Sequence, residues 1–265
     1  MSALTVYVEG VGLWSPQLAD FSALRAALQG QPVAPPPARP AAALLPANER
    51  RRAPESVLLA TEVASQAVAM SGREAASLAC VFASSHGDQP IMDYMCAVLA
   101  STPAELSPTR FHNSVHNAPA GYWTIATGCH APSNAVCAQR ASFGAGLLEA
   151  AALAVADARP VLLVCSDTAG SGPLAAMTAS AAPFGSALVL NAQPGVSTLG
   201  RLDLHLCPGS IADAPVVPAL PAGWLASSPS ATALPLLALL AQGAGRCTLR
   251  AAGSLGMDVH LEECA

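Results

Sequence analysis

The chain contains no lysine; all twelve of its cationic side chains are arginine. That absence excludes a P-loop lysine, a Schiff-base lysine and any pyridoxal phosphate anchor. Aromatic residues make up only 4% of the sequence although 52% is hydrophobic, so the core must be built from Ala, Leu and Val. No apolar run reaches the roughly 18 residues of a membrane span: Glu149 interrupts the longest helix and Pro235 falls within Leu234–Leu240. A net charge of −5 offers no basic surface for nucleic acid or an anionic membrane. The start, M-S-A-L-T-V-Y-V-E-G, lacks a basic leader and runs straight into a strand, so a signal peptide is not expected and a cytoplasmic location is.

Eight cysteines, at 80, 96, 129, 137, 165, 207, 247 and 264, form no C-x-x-C pair. The nearest two, Cys129 and Cys137, lack a His/Cys partner at metal spacing, so no metal is expected. In strings such as V-L-L-V-C the cysteines read as small buried hydrophobes of a reducing compartment. The glycine-rich D-T-A-G-S-G at 167–172 matches neither G-x-G-x-x-G nor Walker A. No cofactor is expected.

What is present is an α/β pattern. Continuous apolar strands are predicted at Val6–Leu13, Ala79–Ser84, Pro160–Ser166 and Phe184–Leu190, with an alternating one at Leu199–Leu206 and a closing pair at Arg246–Ala251 and Met257–Leu261. Between them the periodicity predicts helices at Phe21–Leu28, from Pro54-Glu55 to a stop at Gly72, at Pro90–Leu99 and at Ala231–Ala241. Pro32–Pro46, Thr168–Ala182 and Pro208–Pro229 read as irregular, and the Arg50-Arg51-Arg52 run as a solvated cluster. Strands apolar throughout and alternating with helices predict a mostly parallel sheet covered on both faces.

The chain centres on Phe111–Glu149: a helix at about Ala118–Gly128, a turn at Ala131–Ser133, a short strand at Asn134–Ala138, a sharp bend at Gln139–Ser142, and a long Ala/Leu helix from Phe143 to Ala158. A strand that turns tightly into a helix is where enzymes place nucleophiles, because unpaired N–H groups and the dipole stabilise a thiolate or oxyanion.

N-A-P-A-G-Y-W-T-I-A-T-G-C-H-A-P-S, at 117–133, resembles the β-ketoacyl synthase pattern N-x-x-A-G-x-x-x-I-x-x-G-x-x-G-P-S. V-E-G-V-G-L-W-S-P resembles that family's first strand, A-S-S-H-G-D its strand-to-loop turn, and S-L-G-M-D-V-H-L a degenerate form of its final glycine turn. F-H-N-S-V-H-N-A-P-A-G-Y-W with A-S-F-G-A-G-L-L-E-A is similar to the chain length factors that accompany active ketosynthases in bacterial aryl polyene and related polyketide pathways. The resemblance implies one thiolase-like layered domain over residues 1–265, with a complete ketosynthase N-terminal-like half at 1–192 and a strongly reduced C-terminal half at 193–265. It implies a full-length β-ketoacyl synthase as heterodimer partner, an acyl carrier protein as transient visitor, and a role in shaping the acyl tunnel rather than in catalysis.

The departures support that expectation. An ungapped register puts Arg140 at the family's acyl-accepting cysteine; a one-residue slip puts Gln139 there. Neither forms a thioester. The family's two histidines in its downstream motifs and its lysine have no counterpart, so condensation by this chain alone is not expected. The alternative is a free-standing acyltransferase or thiolase-like enzyme using Cys129, paired with His130 or His116. Cys137 is expected inside a buried strand. His112 and His116, four apart, could share a helix face, but Pro108 and Pro119 and the missing carboxylate favour polar contact across an interface over metal. With Phe111, Asn117, Tyr122, Trp123 and Phe143 they are the expected interface and tunnel residues, and F-G-A-G-L-L at 143–148 should admit another backbone closely, at a dimer contact.

Overall fold

The computed structural model describes residues 3–209 and 217–264, so part of the stretch read as irregular, 210–216, lies outside the described residues. Strand β1 (Leu4–Trp14) leads to helix α1 (Phe21–Leu28), which Asp20 caps by accepting from the Ala23 N–H at 2.8 Å. The arginine run forms a short helix, α2 (Ala47–Arg52). Pro54 then opens α3 (Glu55–Ser71), and Gly72 closes it at a φ of 68°. Next come β2 (Ala79–Ala83), α4 (Gln89–Ser101), α5 (Pro108–His112), α6 (Ala118–Thr127), β3 (Ser133–Val136), α7 (Ser142–Ala156) and β4 (Val161–Asp167). The stretch read as loop at 168–182 holds a short helix, α8 (Ala175–Thr178), before β5 (Phe184–Asn191) and β6 (Gly200–Pro208). A second short helix, α9 (Ala222–Ala226), also stands where no element was expected. Then α10 (Leu234–Gln242) leads into the predicted closing pair, β7 (Gly245–Ala252) and β8 (Leu255–Glu262), which form a hairpin.

The strands form one sheet in the order β3-β2-β4-β5-β1-β6-β8-β7. Only β2 pairs in parallel, with β3 and β4; the other pairings are antiparallel. The expectation of a mostly parallel sheet is therefore corrected. An apolar run such as V-L-L-V-C reports burial on both faces and carries no sign of direction. Counting outward from the β1–β6 boundary, β1-β5-β4 and β6-β8-β7 repeat one antiparallel pattern, with α7 feeding β4 and α10 feeding β7. The second set has no counterpart of β2 and β3 among the described residues.

Helices α1, α7 and α10 share the largest apolar cluster with the inner faces of both strand sets. Helix α7 lies between them. A Cβ on Gly144 would sit 2.1 Å from the Arg250 carbonyl of β7, and one on Gly146 would meet Ala83 of β2 and Leu163 of β4 at 3.0 Å. The close backbone approach expected at F-G-A-G-L-L is thus made by this chain's own strand. Helices α3 and α6 cover the opposite side of β1, β2, β4 and β5 with Leu59, Val63, Ala67 and Trp123. No described helix covers the outer face of β6-β8-β7. There His205, Thr248, Asp258 and Glu262 are exposed, alternating with buried Leu204, Leu249, Val259 and Leu261. Cover on both faces therefore holds for the first strand set and fails for the second.

Candidate functional site

The bend between β3 and α7 is a single turn of 3-10 helix at Gln139–Ala141. Gln139, at a φ of 50°, takes the left-handed conformation; Arg140 does not. For a residue with a Cβ this costs about 1–2 kcal/mol. Two hydroxyls hold the turn: Ser85 Oγ and Ser142 Oγ each donate to the Gln139 carbonyl at 2.7 Å. Both Gln139 and Arg140 point their side chains outward and are exposed.

Beneath the bend lies Asp167, only 1% exposed, at the end of β4. It accepts from Ser84 Oγ at 2.9 Å, from the Ser85 N–H at 2.8 Å and from the His86 N–H at 3.2 Å. Ser230 Oγ, from the second half, donates to its other oxygen. One buried carboxylate therefore joins β4, the turn after β2 and the approach to α10. A neighbouring hollow contains Ser56, Ser84, Asp88 and His116, and His116 Nε2 lies 3.1 Å from the Ser84 carbonyl.

His112 does not join it. Helix α5 ends at His112 and His116 stands in the turn before α6, so their spacing defines no shared helix face. Among the described residues no three His, Cys, Asp or Glu side chains cluster as metal ligands.

The cysteines divide. Cys129 is 5% exposed and donates to the Leu78 carbonyl at 3.2 Å. Cys80 donates to the same carbonyl, and burial, with Cys129 beside it, pushes its thiol up to about 12. Burial also raises the Cys165 thiol, with Asp167 adding to the shift. Cys96, Cys137 and Cys264 are exposed, against the expectation of uniform burial. Cys137 in particular leaves its predicted buried strand because β3 is the edge of the sheet and exposed over most of its length.

The surface beside β3 is apolar and uncovered. Phe111 is 58% exposed, Val115 52% and Ile125 84%. Val115 and Ile125 line a hollow of about 490 Å³ that also contains Leu45, His112, Asn117 and Tyr122. Three of the expected interface residues, His112, Asn117 and Tyr122, therefore lie together; Phe111, next to His112 on α5, is exposed but does not line this hollow, and His116 lines the neighbouring one. Trp123 and Phe143 do not join them. Each is 1% exposed, Trp123 in the stripe of α6 that meets α3 and β2, Phe143 at the start of the sandwiched α7. Val115, Leu45 and Ile125 were missed. Ile125 was legible: two residues beyond Trp123 is about 200° around a helix, opposite the buried stripe.

Residues 25–216 match the family model described as β-ketoacyl synthase, N-terminal domain. No curated protein matches the chain in sequence. Among solved structures, it resembles a chain from the complex of a ketosynthase (ApeO) with its chain length factor (ApeC) from Xenorhabdus doucetiae. That match has 23% identity over 97% of this chain and 99% of the other, with a TM-score of 0.73. The ishigamide ketosynthase/chain length factor is matched at 12% identity, over 98% of this chain and all of the other, with a TM-score of 0.73. A type II polyketide synthase acyl carrier protein in complex with its hexaketide-bound ketosynthase is matched at 12% identity over 98% and 99%, with a TM-score of 0.75. What these structures share with the chain is the thiolase-like fold.

Proposed function

Because the chain belongs to the β-ketoacyl synthase family, we propose that it is a non-catalytic chain length factor, pairing with a full-length ketosynthase and shaping that enzyme's acyl tunnel. The observation that carries this reading is the bend itself. Condensation needs a thiol to hold the growing chain and donors to stabilise the enolate that attacks it. The left-handed turn at the head of α7 is kept by two serine hydroxyls, yet it presents glutamine and arginine. Cys137, the nearest exposed thiol, sits on the strand side and donates to the Ser85 carbonyl at 3.4 Å.

The docking face in this reading is the free edge of β3 with the apolar surface of α5 and α6. An unpaired strand edge invites another chain, and a contiguous apolar patch marks an interaction surface. Phe111 and Tyr122 then border the tunnel, His112 and Asn117 make polar contacts, and a carrier protein visits transiently. The pathway would be of polyene or polyketide type, in the cytoplasm, with 1–192 as the ketosynthase-like half and 193–265 as its reduced companion. The Cys129 alternative loses support from the burial of its thiol.

Co-expression with the ketosynthase encoded nearby tests the proposal. The two are expected to co-purify, and Phe111→Ala to shift the product length distribution. If they never co-purify and product length ignores this chain, the reading fails.

A further inference from the structure

The hollow that contains His116 is small, about 20 Å³, and its wall carries five polar side chains, those of Ser56, Ser84, Asp88, His116 and Ser166. Two contacts and one register place them. The Ser56 N–H donates to Asp88 Oδ2 at 3.3 Å, and His116 Nε2 donates to the Ser84 carbonyl at 3.1 Å. Ser166 stands one step past the Ala83–Cys165 pair, beside Ser84.

Ser84 is satisfied within the chain: its Oγ donates to Asp167 and accepts from the Gly87 N–H, both at 2.9 Å. Asp88 also accepts from the Ile91 N–H at 3.0 Å, yet two N–H groups leave a carboxylate with lone pairs to spare. The hydroxyls of Ser56 and Ser166 differ. These residues are 8% and 7% exposed, and neither Oγ bonds to any described residue. Both oxygens keep some accessible surface, unlike the sealed and unpartnered hydroxyls of Thr61, Thr168, Ser186 and Ser228. A largely buried hydroxyl without a partner is costly, so a partner that can enter the hollow is favoured. One water needs about 10–15 Å³ of such space and two to four polar partners. The hollow offers both, and it is too small for an organic ligand.

We propose that this hollow binds one long-lived water molecule, which accepts from Ser56 Oγ and Ser166 Oγ and donates to the Asp88 carboxylate. The water cross-links the start of α3, the cap of α4 and the end of β4. It stands behind Val115, which lines both this hollow and the large apolar one, and so backs the wall of the exposed surface. The proposal does not rest on the chain length factor reading, and its test uses this chain alone.

A high-resolution crystal structure should show one density peak about 2.7–3.0 Å from Ser56 Oγ, Ser166 Oγ and an Asp88 oxygen. Ser56→Ala and Ser166→Ala should each lower the thermal midpoint by about 2–4 °C. The double variant should lose less than the two together, since either change loosens the shared water. An empty hollow, or losses that add in full, overturns the proposal. So does a midpoint that rises with sodium chloride and not with choline chloride, which would give the hollow to a cation. If a variant does not fold, the density alone decides.

Discussion

Glu9 and Glu55 are two acids in opposite circumstances. Glu9 is 1% exposed and accepts from Arg73 Nε at 2.8 Å, from a terminal Arg73 nitrogen at 2.7 Å and from Asn191 Nδ2 at 3.1 Å. Glu9→Gln should cost about 1–3 kcal/mol in urea unfolding, at the low end because Arg73 is partly exposed and screened. Glu55 has its carboxyl raised by burial and by Asp88. With a folded pKa above the unfolded one, its contribution is fully present in acid and is lost as the pH climbs through the folded value. Glu55→Gln should therefore raise the thermal midpoint at neutral pH, and the gain should vanish below the ordinary carboxylate range; a gain that persists in acid would refute this. Among the thiols, iodoacetamide at neutral pH should label Cys96, Cys137 and Cys264 and spare Cys80, Cys129 and Cys165, as read by peptide mass spectrometry. Labelling of Cys129 as fast as Cys137 would revive it as a nucleophile. The split was not legible in the sequence: A-V-C and V-L-L-V-C look alike, and only the position of β3 at the sheet edge separates them.

Helix α7 shows what a local pattern can and cannot say. Its limits, its small residues and the bend before it were readable, because Ala and Leu favour helix and glycine admits a close neighbour. The neighbour itself was not readable, since Arg250 of β7 lies about a hundred residues downstream of Gly144 and no periodicity spans that distance. The packing predicts an inverted sign for a usually benign change. At an exposed helix site Gly→Ala stabilises by about 1 kcal/mol. Gly144→Ala would drive a methyl into the Arg250 carbonyl and should instead cost about 1–3 kcal/mol or more. Gly146→Ala, which meets side chains at 3.0 Å, should cost less. Denaturant unfolding of the two variants orders them, and equal losses would mean that α7 is not clasped from the β7 side. The bend was half legible: the chemistry missing from it follows from residue identity, whereas the choice of Gln139 over Arg140 for the left-handed position required the fold.

For the chain as a unit, the outer surface of β6-β8-β7 explains how a layered architecture survives without its last helical cover. Its outward positions alternate polar with the buried ones, so no large apolar area is left in water. The alternation at Leu199–Leu206 announced that much, while strand direction stayed hidden. By contrast, Ile125→Arg on the β3 side should abolish co-purification with the ketosynthase and leave the thermal midpoint within about 0.5 kcal/mol of the original stability. Retained association would move the docking surface elsewhere. The position of β1 carries one more consequence, for the birth of the protein. Of the strands in this sheet β1 is made before the others, and it lies inside the sheet, hydrogen-bonded to β5 and β6, where Tyr7 meets Asn191 and Leu4 meets Leu204. At ~5–20 residues per second a ribosome needs about 10–40 s to deliver those partners. Throughout that interval Val6, Val8, Val11 and Leu13 lack the strand partners beside which they are buried in the finished sheet.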